Sequence, residues 1–149
     1  MSRIRTILHA TDFSPASRRA FQRAVEMAKG YRAQLLLVHV VTPEVPLMMG
    51  DGYVSPKVYE QMEAAVWAEA QKQLQRRVEQ ARRAGVRVKS LLLEGIAHER
   101  IVRAARGRKA DVVVIGTHGR TGLARLFLGS VASRLLAVSP CPVLTVRGG

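Results

Sequence analysis

Asp111-Val112-Val113-Val114-Ile115-Gly116-Thr117-His118-Gly119, followed after nine residues by Gly129-Ser130, decides the reading of this chain. The first five residues form an apolar strand candidate that runs straight into a glycine-bearing segment. A helix candidate, Val131 to Val138, runs straight out of it. Glycines 116, 119 and 129 let the backbone approach a ligand closely, because no Cβ stands in the way. Gly129 and Ser130 then open a helix, whose free N–H groups and dipole favour an anion such as a phosphate. Strand, loop and helix start fall in order, which makes the signal stronger than an isolated glycine pair.

Working outward, the elements alternate. Ile4 to Ala10 reads as a short buried strand, and Ser14-Pro15 as a helix start, with an oxygen at the cap and a preset φ behind it. That helix is expected to reach about Lys29 and to stop at Gly30. Gln34 to Val41 is continuously apolar, the pattern of a parallel strand covered on both faces. His39 lies inside this run, and a satisfied structural histidine is preferred to a catalytic one. The segment from Thr42 to Tyr53 is irregular and reads as a connection or a cover for a ligand. Ser55-Pro56 begins a long helix ending near Ala84-Gly85, with Val58, Met62, Val66, Ala70, Leu74, Val78 and Ala81 as its expected buried stripe. Trp67 beside the stripe reads as a packing or interface residue.

Val86 to Leu93 reads as a third strand near a sheet edge, alternating at its start. A helix from about Ala97 to Arg106 follows, and Val143 to Val146 makes the fifth strand after Asp111 to Ile115. The order β-α-β-α-β-α-β-α-β predicts an α/β protein of one domain, residues 1–149, with an open parallel sheet and helices on both faces.

Composition agrees with this. The chain has 149 residues, 48% of them hydrophobic, enough to build a core without staples. No apolar run approaches the roughly 18 residues that span a bilayer. The expectation is a soluble, cytoplasmic protein without a signal peptide. Cys141, the single cysteine, cannot form an internal disulfide and reads as a small packing residue at a strand entrance. The formal net charge of +13 favours anionic partners in general.

In a doubly wound sheet a ligand binds past the carboxyl ends of the strands, where strand order reverses. With the order 3-2-1-4-5, that crevice lies between the ends of the first and fourth strands. Ala10-Thr11-Asp12 and Gly116-Thr117-His118 meet there. Two roles stay open for Asp12: a local turn, with its carboxylate on backbone N–H groups, or a hold on ribose hydroxyls or Mg²⁺. Other phosphate and catalytic motifs are missing. The chain has no G-x-x-x-x-G-K-[ST], no G-x-G-x-x-G after the first strand, no zinc signature and no G-x-S-x-G.

Ala-Thr-Asp-Phe-Ser at 10–14, Leu-Leu-Val-His-Val at 36–40, Gly-Thr-His-Gly-Arg-Thr-Gly-Leu at 116–123, Leu-Gly-Ser-Val-Ala at 128–132 and Pro-Cys-Pro-Val-Leu at 140–144 resemble the universal stress protein family. The glycine segment resembles the G-x-x-G-x₉-G-[ST] pattern of its ATP-binding branch, with Gly116, Gly119, Gly129 and Ser130 in the defining places. Ala10 stands where many members carry proline. The resemblance implies a five-stranded Rossmann-like domain that binds ATP with Mg²⁺ or Mn²⁺ and forms homodimers. It implies that Asp12 faces the ribose and the metal and that Val40 lines the adenine pocket. Backbone groups of Gly116, Gly119, Gly129, Ser130 and Val131 would surround the phosphates; His118 reads as a contact to phosphate oxygens or as a plain loop histidine. It also implies that Val143 to Val146 pairs across the dimer. Arg120 and Arg125 lie within the glycine segment, either steadying a triphosphate or simply solvated.

Three functions follow. The first is a regulatory ATP-binding module in a stress response. The second is a slow ATPase using metal held by Asp12, for which the sequence offers no obvious base. The third is a basic protein associating with nucleic acid or other polyanions; charge supports it, but only 5% of residues are aromatic and no recognition motif is present.

Overall fold

The computed structural model describes residues 3–43, 55–118 and 128–148. Nine elements alternate as the hydrophobic pattern predicts. They are β1 (Thr6–Ala10), α1 (Pro15–Tyr31), β2 (Gln34–Val41), α2 (Pro56–Arg83), β3 (Val88–Glu94), α3 (Ala97–Gly107), β4 (Val112–Gly116), α4 (Ser130–Val138) and β5 (Val143–Val146). All pairings are parallel, in the order β3-β2-β1-β4-β5. β1 and β4 are therefore neighbours at the centre, with Ala10 opposite Ile115. Asp111 fixes this register at the other end: its Oδ2 accepts the N–H groups of Arg5 at 2.7 Å and Thr6 at 2.9 Å.

The continuously apolar strands are explained by two covers. Ile7, Leu35, Leu37 and Val114 pack under α1 and α2. Leu8, Leu36, Val38 and Val113 pack under α3 and α4. Each fully buried side chain of this size contributes about 1.5–3 kcal/mol, so the central strands carry most of the core.

Several sequence expectations need correction. Gly30 does not stop α1. The helix runs one residue further, and Arg32 takes the left-handed cap at φ 55, its N–H reaching the carbonyls of Ala28 and Lys29. The buried stripe of α2 is only half real. Ala70, Leu74, Val78 and Ala81 are buried, whereas Val58, Met62 and Val66 are 46%, 54% and 52% exposed. Length explains this. Twenty-eight residues of helix span about 42 Å at ~1.5 Å per residue. The eight residues of β2 span only about 26 Å. The amino-terminal half of α2 therefore outruns the sheet. β3 is an edge strand, as its alternation suggests, but begins at Val88.

His9 is a buried polar residue that the periodicity did not single out. It is 0% exposed, its Nδ1 lies 3.0 Å from the Val114 carbonyl, and its Nε2 has no partner among the described residues. Burial pushes its pKa down to about 4; the Val114 bond opposes this, and the positive charge of Arg77 adds to it. Cys141 is half-buried, packed against the α3–α4 side of the core, and burial pushes its thiol pKa up. A thiol so placed is a packing group, not a reactive one.

Candidate functional site

β1 ends in Ala10, and the chain leaves it through Thr11, Asp12 and Phe13 towards α1. Thr11 is tied to this corner from three sides. Its N–H donates to the Val38 carbonyl at 2.9 Å, and its Oγ1 lies 2.6 Å from the Ser17 hydroxyl and accepts the Phe13 N–H at 3.0 Å. Phe13 sits at φ 63, a left-handed conformation that disfavours a bulky residue. Its ring lies against His39, 4.4 Å between centroids. The His39 Nδ1 donates to the Thr11 carbonyl at 2.7 Å. His39 thus has the structural role expected of it, and it buttresses the corner that presents Asp12.

Asp12 adopts the local role: its Oδ1 accepts the Ser14 N–H at 2.9 Å. The bond orients the carboxylate, which is half-buried and lines the cleft described next. Ser14 in turn caps α1, its Oγ accepting the Ser17 N–H at 3.2 Å.

On the other side of the switch point, β4 ends in Gly116. Thr117 then pins the glycine segment at both ends. Its N–H donates to the Val146 carbonyl at 3.0 Å, and its carbonyl accepts the Gly129 N–H at 2.6 Å. That second bond brings the end of β4 to the start of α4. The Thr117 hydroxyl lies 2.8 Å from the His118 Nδ1. α4 begins at Ser130 with Gly129 as its cap residue, and no side chain among the described residues caps it. The N–H groups of its first turn, with the positive end of the helix dipole, are thereby presented at the cleft.

Between these two strand ends lies a cleft of about 1300 Å³. Ala10, Thr11, Asp12, Val40, Gly116, Thr117, His118, Gly129, Ser130 and Val131 all line it. Gly119 and Arg120, also expected at the site, lie outside the described residues, as do Arg125 and residues 44–54 of the irregular segment. Gly116 has a packing role that the sequence did not suggest. A Cβ there would stand 3.2 Å from the carbonyl carbon and oxygen of Ala16, so the glycine makes room for α1. Gly129, at φ −59, has an ordinary backbone conformation, so no left-handed geometry calls for glycine there.

The sequence missed one wall. Tyr59, Met62, Val66 and Trp67 from the overhanging half of α2 face the cleft, with Glu63, Glu69 and, from β3, Glu94. The cleft therefore has a polar end at the strand termini and an apolar, acid-fringed flank along α2. The signal was present in the apolar spacing of α2, which reads equally well as core. No group of three or more metal-ligating side chains occurs among the described residues. No helix among them is long and apolar enough to cross a membrane.

An α/β sheet in the order 3-2-1-4-5, with the start of a helix and an oriented aspartate on the two sides of the switch point, defines a doubly wound protein with a crevice at its strand ends. A model of the universal stress protein family matches residues 3–147, and the chain belongs to that family. It is 38% identical over 144 residues to the Thermus aquaticus universal stress protein of the QAH/OAS sulfhydrylase 3′ region, covering 96% of this chain and 98% of that protein. The structure resembles universal stress protein UspA from Lactobacillus plantarum at a TM-score of 0.83 and 26% identity, over 99% of this chain and 100% of that one. It also resembles a universal stress protein solved in complex with cAMP, at a TM-score of 0.71 and 26% identity, over 99% and 100% of the two chains.

Proposed function

We propose that the cleft binds an adenine nucleotide, ATP foremost, and that the protein acts as a regulatory nucleotide-binding module of a stress response. The observation that carries this reading is the pairing of Asp12 with the uncapped start of α4 across the β1–β4 boundary. The residues present fit such a ligand. Ala10 and Val40 offer an apolar seat for a base, and Asp12 an acceptor for ribose hydroxyls. The N–H groups at Ser130 and Val131 suit phosphate oxygens, with Thr117 and His118 at the margin. Gly119 and Arg120 join this set through the sequence pattern alone. The relative solved with cAMP supports an adenine nucleotide in this class of cleft.

Mg²⁺ or Mn²⁺ would accompany the triphosphate. Asp12 is the side chain placed to orient it, and the remaining ligands would be phosphate oxygens and water. A metal supplies charge neutralisation there. The protein's part is to hold the phosphates by backbone N–H groups and to keep the base in the apolar seat.

The same reading treats residues 1–149 as one cytoplasmic domain. It pairs β5 with its counterpart in a second copy; β5 is an edge strand, and Leu144 on it is 37% exposed.

Titration calorimetry with ATP, AMP and cAMP at moderate salt tests the proposal. Saturable binding, one nucleotide per chain, weakened at least tenfold by Asp12→Ala and by Gly129→Val, is the expected result. Affinity that ignores both changes and fades with salt in the same way for every variant would leave only polyanion attraction.

A further inference from the structure

The opposite pole of the sheet carries a second feature. In a parallel sheet all strands start at one end, here the end away from the cleft. Arg3, Arg5, Arg32 and Arg87 surround a hollow of about 450 Å³ there, with Thr6 and Gln34 in its wall. The backbone explains why they converge. Gln34 donates its N–H to the Arg5 carbonyl and Leu35 to the Arg87 carbonyl, both at 2.8 Å, so the starts of β1, β2 and β3 lie side by side. Arg32 enters from the end of α1, held by its left-handed cap. Its carbonyl accepts Nη2 of Arg87 at 3.3 Å, which ties two of the four arginines together.

Four guanidinium groups in one hollow repel each other unless an anion joins them. No carboxylate lines it among the described residues. None of the four arginines makes an ion pair among them; the ion pair they contain is Arg23 with Glu26 on α1. Asp111 stands at the same pole, but both its hydrogen bonds go to backbone N–H groups. A guanidinium is a planar fork of donors, the group that binds phosphate bidentately, and four residues that carry one line this hollow.

We infer that this arginine hollow is a second anion site, independent of the cleft, and that it takes a compact polyphosphate such as a triphosphate chain. The hollow's volume of about 450 Å³ favours a compact anion over a nucleic-acid duplex, which calls for an extended basic track. The site gives a local use to part of a +13 net charge that the nucleotide cleft does not need.

Inorganic tripolyphosphate is titrated calorimetrically into the full chain at about 0.15 M salt, where exposed charges are largely screened beyond ~8 Å. Saturable binding is expected, weakened at least tenfold in the Arg5→Ala/Arg87→Ala double variant. Arg103→Ala/Arg76→Ala, which removes the same charge from exposed positions elsewhere on α3 and α2, should change it less than twofold. Arg5→Lys/Arg87→Lys keeps the charge and loses the fork, and should cost several-fold; it also serves if the alanine pair melts too early to titrate. Equal losses in the hollow and control pairs would overturn the inference, as would an unsaturable isotherm. So would a DNA duplex binding more tightly than tripolyphosphate through the same arginines. ATP titrated into the hollow variants separates the two sites, because a failed hollow leaves the Asp12-dependent binding intact.

Discussion

Gly116 and Ala16 meet where β4 ends against the first turn of α1. A Cβ on Gly116 would lie 3.2 Å from the backbone carbonyl of Ala16, and one on Gly148 would lie 2.8 Å from the Ala16 Cβ. Two glycines thus press on one small residue from the ends of β4 and β5. This contact seats the helix whose cap presents Asp12, so packing and site share a residue.

Gly116→Ala is therefore expected to destabilise the fold by about 1–3 kcal/mol, the usual cost of overpacking where backbone must give. Thermal or denaturant melts measure the loss. The nucleotide affinity of the folded protein should fall less than in Gly129→Val, whose side chain enters the cleft. The opposite ranking would return Gly116 to the role of a ligand-approach residue.

His9 makes stability depend on pH. Its folded pKa of about 4 lies below the ordinary 6.5, so the unfolded chain binds the extra proton first. Its stabilising contribution is complete above pH 6.5 and declines as pH falls from there to about 4. The full span corresponds to roughly 3 kcal/mol at ~1.4 kcal/mol per pKa unit. Denaturant midpoints taken between pH 7.5 and 4.5 should fall steeply in the native protein and less so in His9→Leu. Parallel curves would assign the pH dependence to other groups.

Ser14→Ala removes the side-chain cap of α1 and should cost about 1 kcal/mol. Ser14→Asp should restore most of it, since a carboxylate can accept the same Ser17 N–H and also suits the helix dipole. Melting temperatures of the two variants decide this. Equal losses would mean that the serine matters through its buried packing.

Trp67 is the only tryptophan and stands in the cleft wall. Its emission should shift on addition of ATP, with a midpoint equal to the calorimetric one, and the change should be lost in Gly129→Val. An unchanged spectrum alongside calorimetric binding would place the nucleotide away from α2.

The fold was legible because its signals were redundant. Gln34 to Val41 carries an unbroken apolar run that only a doubly covered strand explains, and Ser14-Pro15 and Ser55-Pro56 mark helix starts that both prove to be caps. The strand ends named the cleft for the same reason, since strand order alone brings residues 10–12 to 116–118. Helix spacing could not show where the sheet stops beneath α2. Val58, Met62 and Val66 have the same period as Leu74 and Val78, and only the lengths of the strands separate the two halves. His9 was hidden for a related reason: one polar residue in a short strand does not disturb its apolar pattern, and its orphaned Nε2 depends on neighbours from β4 and α1.

The overhang of α2 sets up a gradient along a single rod. Contacts with the sheet clamp Ala70 to Ala81, whereas the turns from Val58 to Val66 rest on solvent and the cleft. A tilt of the packed turns would carry the turns before Val66 further, in proportion to their distance from Ala70 to Ala81. With the packing concentrated in the carboxyl-terminal half, amide hydrogens before Val66 should exchange faster than those after Leu74.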